Sequence, residues 1–307
     1  MTDPVILALR EIVPVTRGEL NFGGRMLRWV ESGASTPTVV LIAGRNDTAL
    51  SWGPVLAALA GRARAVAYDR AGLGDSDPDL QTPSTERTVA DLSRLIDVAA
   101  GGRCLVAGHS YGGLLALLLA ASHPDQVAGL VLVDPALPGL LDWLPRLLRR
   151  IMGAAARVRP VAVYATGRAR STARRRAESA AEVFGGDRRV RDLVVRAYLA
   201  SADWPHALAA YREGKGIAAS EAVIPPHIAC APPLPPTLAA PPSPGVPTVV
   251  ISATEGRPAW LRRRWTALQA GLAADRAARH VVATGSGHAV LLDRPALVAE
   301  AILGCVQ

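Results

Sequence analysis

Gly108-His109-Ser110-Tyr111-Gly112 joins two apolar runs of different character. Before it, Cys104-Leu105-Val106-Ala107 is short and suits a buried strand. After it, the Leu/Ala run from Leu114 to Ala121 has the length and composition of a buried helix. A G-x-S-x-G sequence at such a joint holds its serine on a tight strand-to-helix turn with the hydroxyl exposed. The flanking glycines remove Cβ atoms that would clash there. The new helix aims its first N–H groups and the positive end of its dipole at whatever binds beside the serine. Ser110 is therefore the candidate nucleophile, and it needs a base and an acid to orient that base.

Of the six histidines, His288 is best placed to be the base. It lies in Gly285-Ser286-Gly287-His288, after the strand-like Arg279-His280-Val281-Val282-Ala283 and before a helix-like segment from Pro295 to Val306. A histidine on such a loop can reach across the top of a sheet. His109 is enclosed by the motif and is expected to pack beneath it, and His123, before Pro124, reads as a helix end. Two carboxylates are candidates for the acid. Asp134 ends the strand-like Gly129-Leu130-Val131-Leu132-Val133, and Glu255 follows the strand-like Val246 to Ser252. The backbone N–H groups of Tyr111, the residue after the serine, and of Arg45, on the loop after Thr38 to Gly44, are the candidate oxyanion donors.

Strand-like and helix-like segments alternate along the chain. This pattern predicts an α/β fold with a mostly parallel sheet covered on both faces. The expected strands are Val39–Ile42, Ala65–Tyr68, Cys104–Ala107, Leu130–Val133, Thr248–Ile251 and Val281–Ala283, preceded by a hairpin over Gly18–Val30. The expected helices are Ser51–Ala60, Thr85–Ala99, Tyr111–Ser122, Pro258–Ala273 and Pro295–Val306.

These segments resemble the α/β-hydrolase superfamily, and most closely its cap-bearing bacterial esterases and lipases. Ala43-Gly44-Arg45, with Trp52 following, is similar to the family's oxyanion loop. Tyr68-Asp69-Arg70-Ala71-Gly72-Leu73-Gly74-Asp75-Ser76 is similar to its D-x-x-G-x-G-x-S segment. Gly108 to Gly113 resembles the nucleophile elbow, Leu132 to Pro135 the strand end before the cap, and Gly285 to His288 the histidine loop. The order serine, acid, histidine is also the family's order. Three departures bear on function. Ala43 stands where many members carry histidine. The segment Ala253-Thr254-Glu255-Gly256-Arg257 lacks the usual aspartate, so either Glu255 replaces it or the acid has moved to Asp134. The nucleophile is serine rather than aspartate, which counts against epoxide-hydrolase or dehalogenase chemistry.

The resemblance implies a core of residues 1–136 and 246–307, with residues 137–245 inserted between the sixth and seventh strands as a helical cap. That insertion is amphipathic at Leu140–Met152 and returns through the proline-rich stretch 225–244. The formal net charge of +8 originates there. Residues 145–196 hold fourteen arginines against four acidic residues, and the rest of the chain is slightly acidic. Such a face is either simply solvated or drawn weakly to anionic membrane surfaces or acidic substrates. Nucleic acid is not expected as a partner, because no recognition motif accompanies the charge and aromatic residues are sparse at 4%.

Cys104, Cys230 and Cys305 have no metal-ligand spacing and suggest no disulfide framework, so a reducing cytoplasmic setting is expected. No signal peptide is read at Met1-Thr2-Asp3-Pro4, and no apolar run approaches the roughly 20 residues needed to cross a bilayer. The activity expected is hydrolysis of a small, apolar carboxylic ester without metal or organic cofactor. Thioester, lactone or C–C bond hydrolysis and cofactor-free perhydrolysis use the same groups. A non-catalytic ligand-binding protein on the same fold is the reading from another class.

Overall fold

The strands at the centre of the protein are apolar along their whole length, which dictates that both of their faces be covered. A computed structural model describes residues 4–10, 12–45, 47–79, 84–137 and 246–306, together with isolated positions between 151 and 171. Strands β1 (Thr16–Asn21), β2 (Met26–Ser32), β3 (Thr38–Ile42), β4 (Arg64–Tyr68), β5 (Cys104–His109), β6 (Val127–Val133), β7 (Thr248–Ala253) and β8 (Arg279–Ala283) form one eight-stranded sheet. Its order is β1-β2-β4-β3-β5-β6-β7-β8. β1 and β2 pair antiparallel with each other, β2 pairs antiparallel with β4, and every other neighbouring pair is parallel.

The strand pleat divides the core in two. Val39 and Leu41 of β3, Leu105 and Ala107 of β5, and Val131 and Val133 of β6 face one way. They pack with helices α1 (Pro4–Arg10), α2 (Gly53–Leu59), α6 (Val290–Asp293) and α7 (Pro295–Leu303). The intervening Val40, Ile42, Val106, Leu130 and Leu132 face the other way, against α3 (Thr85–Leu95), α4 (Tyr111–Ser122) and α5 (Ala259–Asp275). Period-two alternation thus separates two equally apolar sets rather than an inside from an outside. Helix α4 lies between the sheet and α3 with apolar residues nearly all round, as its Leu/Ala composition requires.

The six parallel strands and the hairpin lie where the sequence places them. The helices differ in detail. The expected Thr85–Ala99 helix is α-helical to Leu95 and then widens into a π-turn over Ile96–Ala100, closed by Gly101 in the left-handed region. Its start is set by Ser84, whose hydroxyl accepts from the Arg87 N–H at 3.1 Å. The segment Ser51–Ala60 begins as a 3-10 turn over Ala49–Trp52. Two short helices, α1 and α6, carried too few turns to be read from periodicity. The expected cap lies outside the described residues apart from those isolated positions. Among the described residues no helix is long and apolar enough to cross a membrane.

The loop after β4 is organised by a buried carboxylate. Asp69 accepts the Ala49 N–H at 2.8 Å and the Asp75 N–H at 3.1 Å, while the Ser76 hydroxyl donates to its backbone carbonyl at 2.6 Å. Gly74, at φ +54°, leaves room for this carboxylate, because a Cβ there would collide with it. Burial pushes the Asp69 carboxyl up to about 6 despite the two backbone donors. A group that binds its proton more tightly when folded stabilises most below its unfolded value near 4, and that contribution is lost as pH rises through about 6. Urea denaturation at pH 4.5 and 7.5 is expected to show wild type losing about 2 kcal/mol relative to Asp69→Asn between the two conditions. An equal loss in both proteins would contradict this assignment.

Candidate active site

At the end of β5 the chain reverses into α4 at Ser110, whose φ of 53° lies in the left-handed region. A non-glycine residue held there costs about 1–3 kcal/mol and needs its surroundings to enforce it. Three neighbouring glycines let the surroundings close in. A Cβ on Gly108 would strike the backbone of Gly112, one on Gly112 would strike the Ile42 carbonyl, and one on Gly113 would come within 2.8 Å of Pro135. The Ser110 N–H donates to the Val133 carbonyl at 3.0 Å. Its own carbonyl accepts from Gly113 at 3.0 Å and Ala136 at 2.9 Å. The turn is therefore anchored to the end of β6 and to the segment just past it.

His288 lies against Ser110, with Nε2 at 3.0 Å from Oγ, and its Nδ1 is 2.6 Å from Asp134 Oδ2. The histidine loop is pinned to the loop after β7. The carbonyl of Ser286 accepts from the N–H groups of Thr254 at 3.1 Å and Glu255 at 2.8 Å. Asp293 accepts from the Gly287 N–H at 2.8 Å and the Ser286 hydroxyl at 3.0 Å. His109 packs beneath the turn, with Nε2 2.8 Å from the His288 carbonyl and its ring 4.7 Å from the His288 ring.

Of the two acids left open by the sequence, the structure brings Asp134 to His288 and leaves Glu255 away from it. The Glu255 carboxylate is 58% exposed and lies 4.0 Å from Arg262, so only its backbone N–H supports the histidine loop. Asp134 is fully buried, at φ 43°. Its Oδ1 accepts from the Ala253 N–H at 3.2 Å, Trp265 Nε1 at 2.9 Å and Gln269 Nε2 at 3.0 Å. Its Oδ2 takes Arg257 Nη2 at 2.8 Å in addition to His288. Burial alone would raise its proton affinity, but the hydrogen bonds and positive charge from His288 and Arg257 outweigh it. They hold the carboxyl well below the usual carboxylate range. Asp134 is thus an anion across the physiological pH range, available to fix the imidazole with Nε2 facing the serine.

The two expected oxyanion donors sit on separate segments beside Ser110. Tyr111 is the first residue of α4, so its backbone N–H lies at the helix N-terminus next to Ser110. The loop bearing Arg45 passes close to the serine, since a Cβ on Gly44 would lie 3.4 Å from Ser110 Cβ and 2.8 Å from His109 Nδ1. Arg70, 3% exposed, props this loop from beneath, donating to the Ala43 carbonyl at 2.6 Å and the Gly44 carbonyl at 2.7 Å.

Sequence reasoning gave no role to Arg70, Arg257, Trp265 or Gln269. The spacing of Trp265 and Gln269 was the available signal. Four residues apart on a helix that starts just past the β7 loop, they share one face toward the sheet's C-terminal edge. Among the described residues, no group of three or more His, Cys, Asp or Glu side chains is arranged to hold a metal ion.

A family profile described as "Alpha/beta hydrolase family" matches residues 39–301. The chain belongs to the alpha/beta hydrolase family. It is 37% identical over 102 residues to a protein of Azorhizobium caulinodans named carbamate hydrolase RutD, a match covering 33% of this chain and 38% of that one. The matched region thus spans well under half of that relative. Among solved structures, Cfl2 from Burkholderia cenocepacia superposes with a TM-score of 0.67 at 24% identity, over 92% of this chain and 93% of that one. The enol-lactonase from Burkholderia xenovorans LB400 superposes with a TM-score of 0.64 at 20% identity, over 94% and 99%. At these identities the superpositions show the shared fold.

A fluorophosphonate probe tests whether the serine is activated. Labelling is expected at Ser110, roughly 100-fold slower or worse in His288→Ala and Asp134→Asn, and unchanged in Glu255→Gln. Rapid labelling of Asp134→Asn with slow labelling of Glu255→Gln would reverse the assignment of the acid.

Proposed function

We propose that the protein is a serine hydrolase of carboxylic esters with an apolar acyl or alcohol part. The observation that carries this reading is the relay from Ser110 Oγ to His288 Nε2 at 3.0 Å and from His288 Nδ1 to Asp134 Oδ2 at 2.6 Å. Ser110 attacks the ester carbonyl while His288 takes its proton. The tetrahedral oxyanion is held by the N–H groups of Tyr111 and Arg45. His288 then protonates the leaving alcohol, giving an acyl-serine and an alcohol. Water, deprotonated by the same imidazole, attacks the acyl group and releases the acid and free Ser110. Asp134 holds the imidazole in its productive tautomer and stabilises the imidazolium that forms in both halves.

Hydrolysis as the reaction class follows from family membership. The ester as substrate is the finer inference. It rests on the relay, and on the apolar residues of the amphipathic segment 140–152 expected to cover the serine. Lactone opening is the second reading, since it needs the same three residues and the enol-lactonase shares the fold.

Purified protein is expected to hydrolyse p-nitrophenyl acetate and butyrate, with kcat falling roughly 1,000-fold or more in Ser110→Ala and in His288→Ala. Undiminished hydrolysis by Ser110→Ala would sink the reading. Arg70→Met, which withdraws both hydrogen bonds to the oxyanion loop, is expected to lower kcat roughly 10- to 100-fold while KM moves little. A rise in KM alone would assign Arg70 to substrate binding instead.

A further inference from the structure

Arg257 stands at the meeting point of Asp134 and His288. Its Nη2 is 2.8 Å from Asp134 Oδ2 and 2.7 Å from His288 Nδ1, and those two atoms are 2.6 Å from each other. Three polar atoms therefore form a closed triangle. One corner, the carboxylate oxygen, only accepts. A second, the guanidinium, only donates. The imidazole nitrogen at the third corner is able to do either, and its role decides the tautomer.

If Nδ1 lacked a proton, its lone pair would face the Asp134 anion across 2.6 Å, and Nε2–H would point at Ser110. With the proton on Nδ1, both nitrogens donate to Oδ2 and Nε2 faces the serine as an acceptor. The buried anion selects this second arrangement, at the expense of a close approach between two donors, one of which carries a full positive charge. Arg257 is itself constrained. Its side chain is 11% exposed, and its guanidinium lies 4.0 Å from the centre of the Trp265 ring, which also donates to Asp134 Oδ1. The cation is stacked in place beside the imidazole rather than free to swing into solvent.

We propose that Arg257 is a positioning residue that shares Asp134 with His288, fixing the carboxylate while opposing a second proton on the imidazole. This rests on the reading of His288 as the base. An Asp–His pair alone favours the imidazolium, which would take the base out of use in mildly acidic conditions. A guanidinium sharing the same carboxylate oxygen offsets part of that attraction. The charged or titratable groups around the imidazole are Asp134 at the end of β6, Arg257 after β7, His109 at the end of β5 and Asp293, whose carboxylate is bound to the Gly287 N–H. Of these, Arg257 is the cation in contact with the imidazole.

The test compares wild type, Arg257→Met and Arg257→Lys in two measurements. In the Ser110→Ala background, where turnover plays no part, NMR follows the titration of the His288 ring. Arg257→Met is expected to move its midpoint up, and Arg257→Lys, which restores the charge, to bring it back toward wild type. With Ser110 intact, the acid limb of kcat/KM for p-nitrophenyl acetate is expected to move in the same direction. Midpoints that coincide in all three proteins, with only melting temperature or rate amplitude changed, would overturn the proposal and leave Arg257 a structural ion pair. An inactive wild type would count against ester hydrolysis, while the ring titration would still decide the role of Arg257.

Discussion

A buried anion organises the candidate site. Asp134 has no solvent exposure, so its charge is tolerated only because donors converge on it from the β7 backbone, the loop after β7, helix α5 and the histidine loop. Each donor belongs to an element whose position must be correct for the charge to be compensated. The same interaction that orients His288 thus cements β6, β7, α5 and the histidine loop at the sheet's C-terminal edge. That edge is where open parallel sheets gather their reactive groups.

Across from this anion, which itself sits at positive φ, Ser110 is held at φ 53°. Its positive φ is sustained by close contacts that only glycine allows at 108, 112 and 113, and by hydrogen bonds to Val133 and Ala136. Arg70 joins the loop after β4 to the oxyanion loop, and Asp69 beside it orders the approach to Trp52. Ser110, Asp134 and the loop bearing Arg45 are therefore each held by groups on other strands and loops. A substitution well outside the relay can disturb it by relaxing one of these supports.

Much of this was legible in the sequence where local signals were strong. The glycine-bracketed serine between a strand and a helix, the parallel strands as unbroken apolar runs, and His288 on its glycine loop follow from short-range pattern. The acid was not decided by such a pattern. Asp134 and Glu255 both follow a strand, and only tertiary contacts separate a fully buried carboxylate from one that faces solvent. Arg257 was hidden for a related reason. An arginine on a loop reads as solvated, and its contact with Asp134 spans 123 residues. The π-turn after α3 was missed because helical propensity continues through Ile96–Ala100 while the hydrogen-bond pattern changes. The Arg-rich insertion was legible as composition alone.

The proposed ester hydrolysis requires a covalent acyl-serine at Ser110. Acid-quenching the protein during turnover of p-nitrophenyl acetate, followed by peptide mass spectrometry, tests this directly. One acetyl group is expected on the peptide containing Ser110, absent from Ser110→Ala. Steady turnover with an unmodified Ser110, or acetylation confined to another residue, would contradict it.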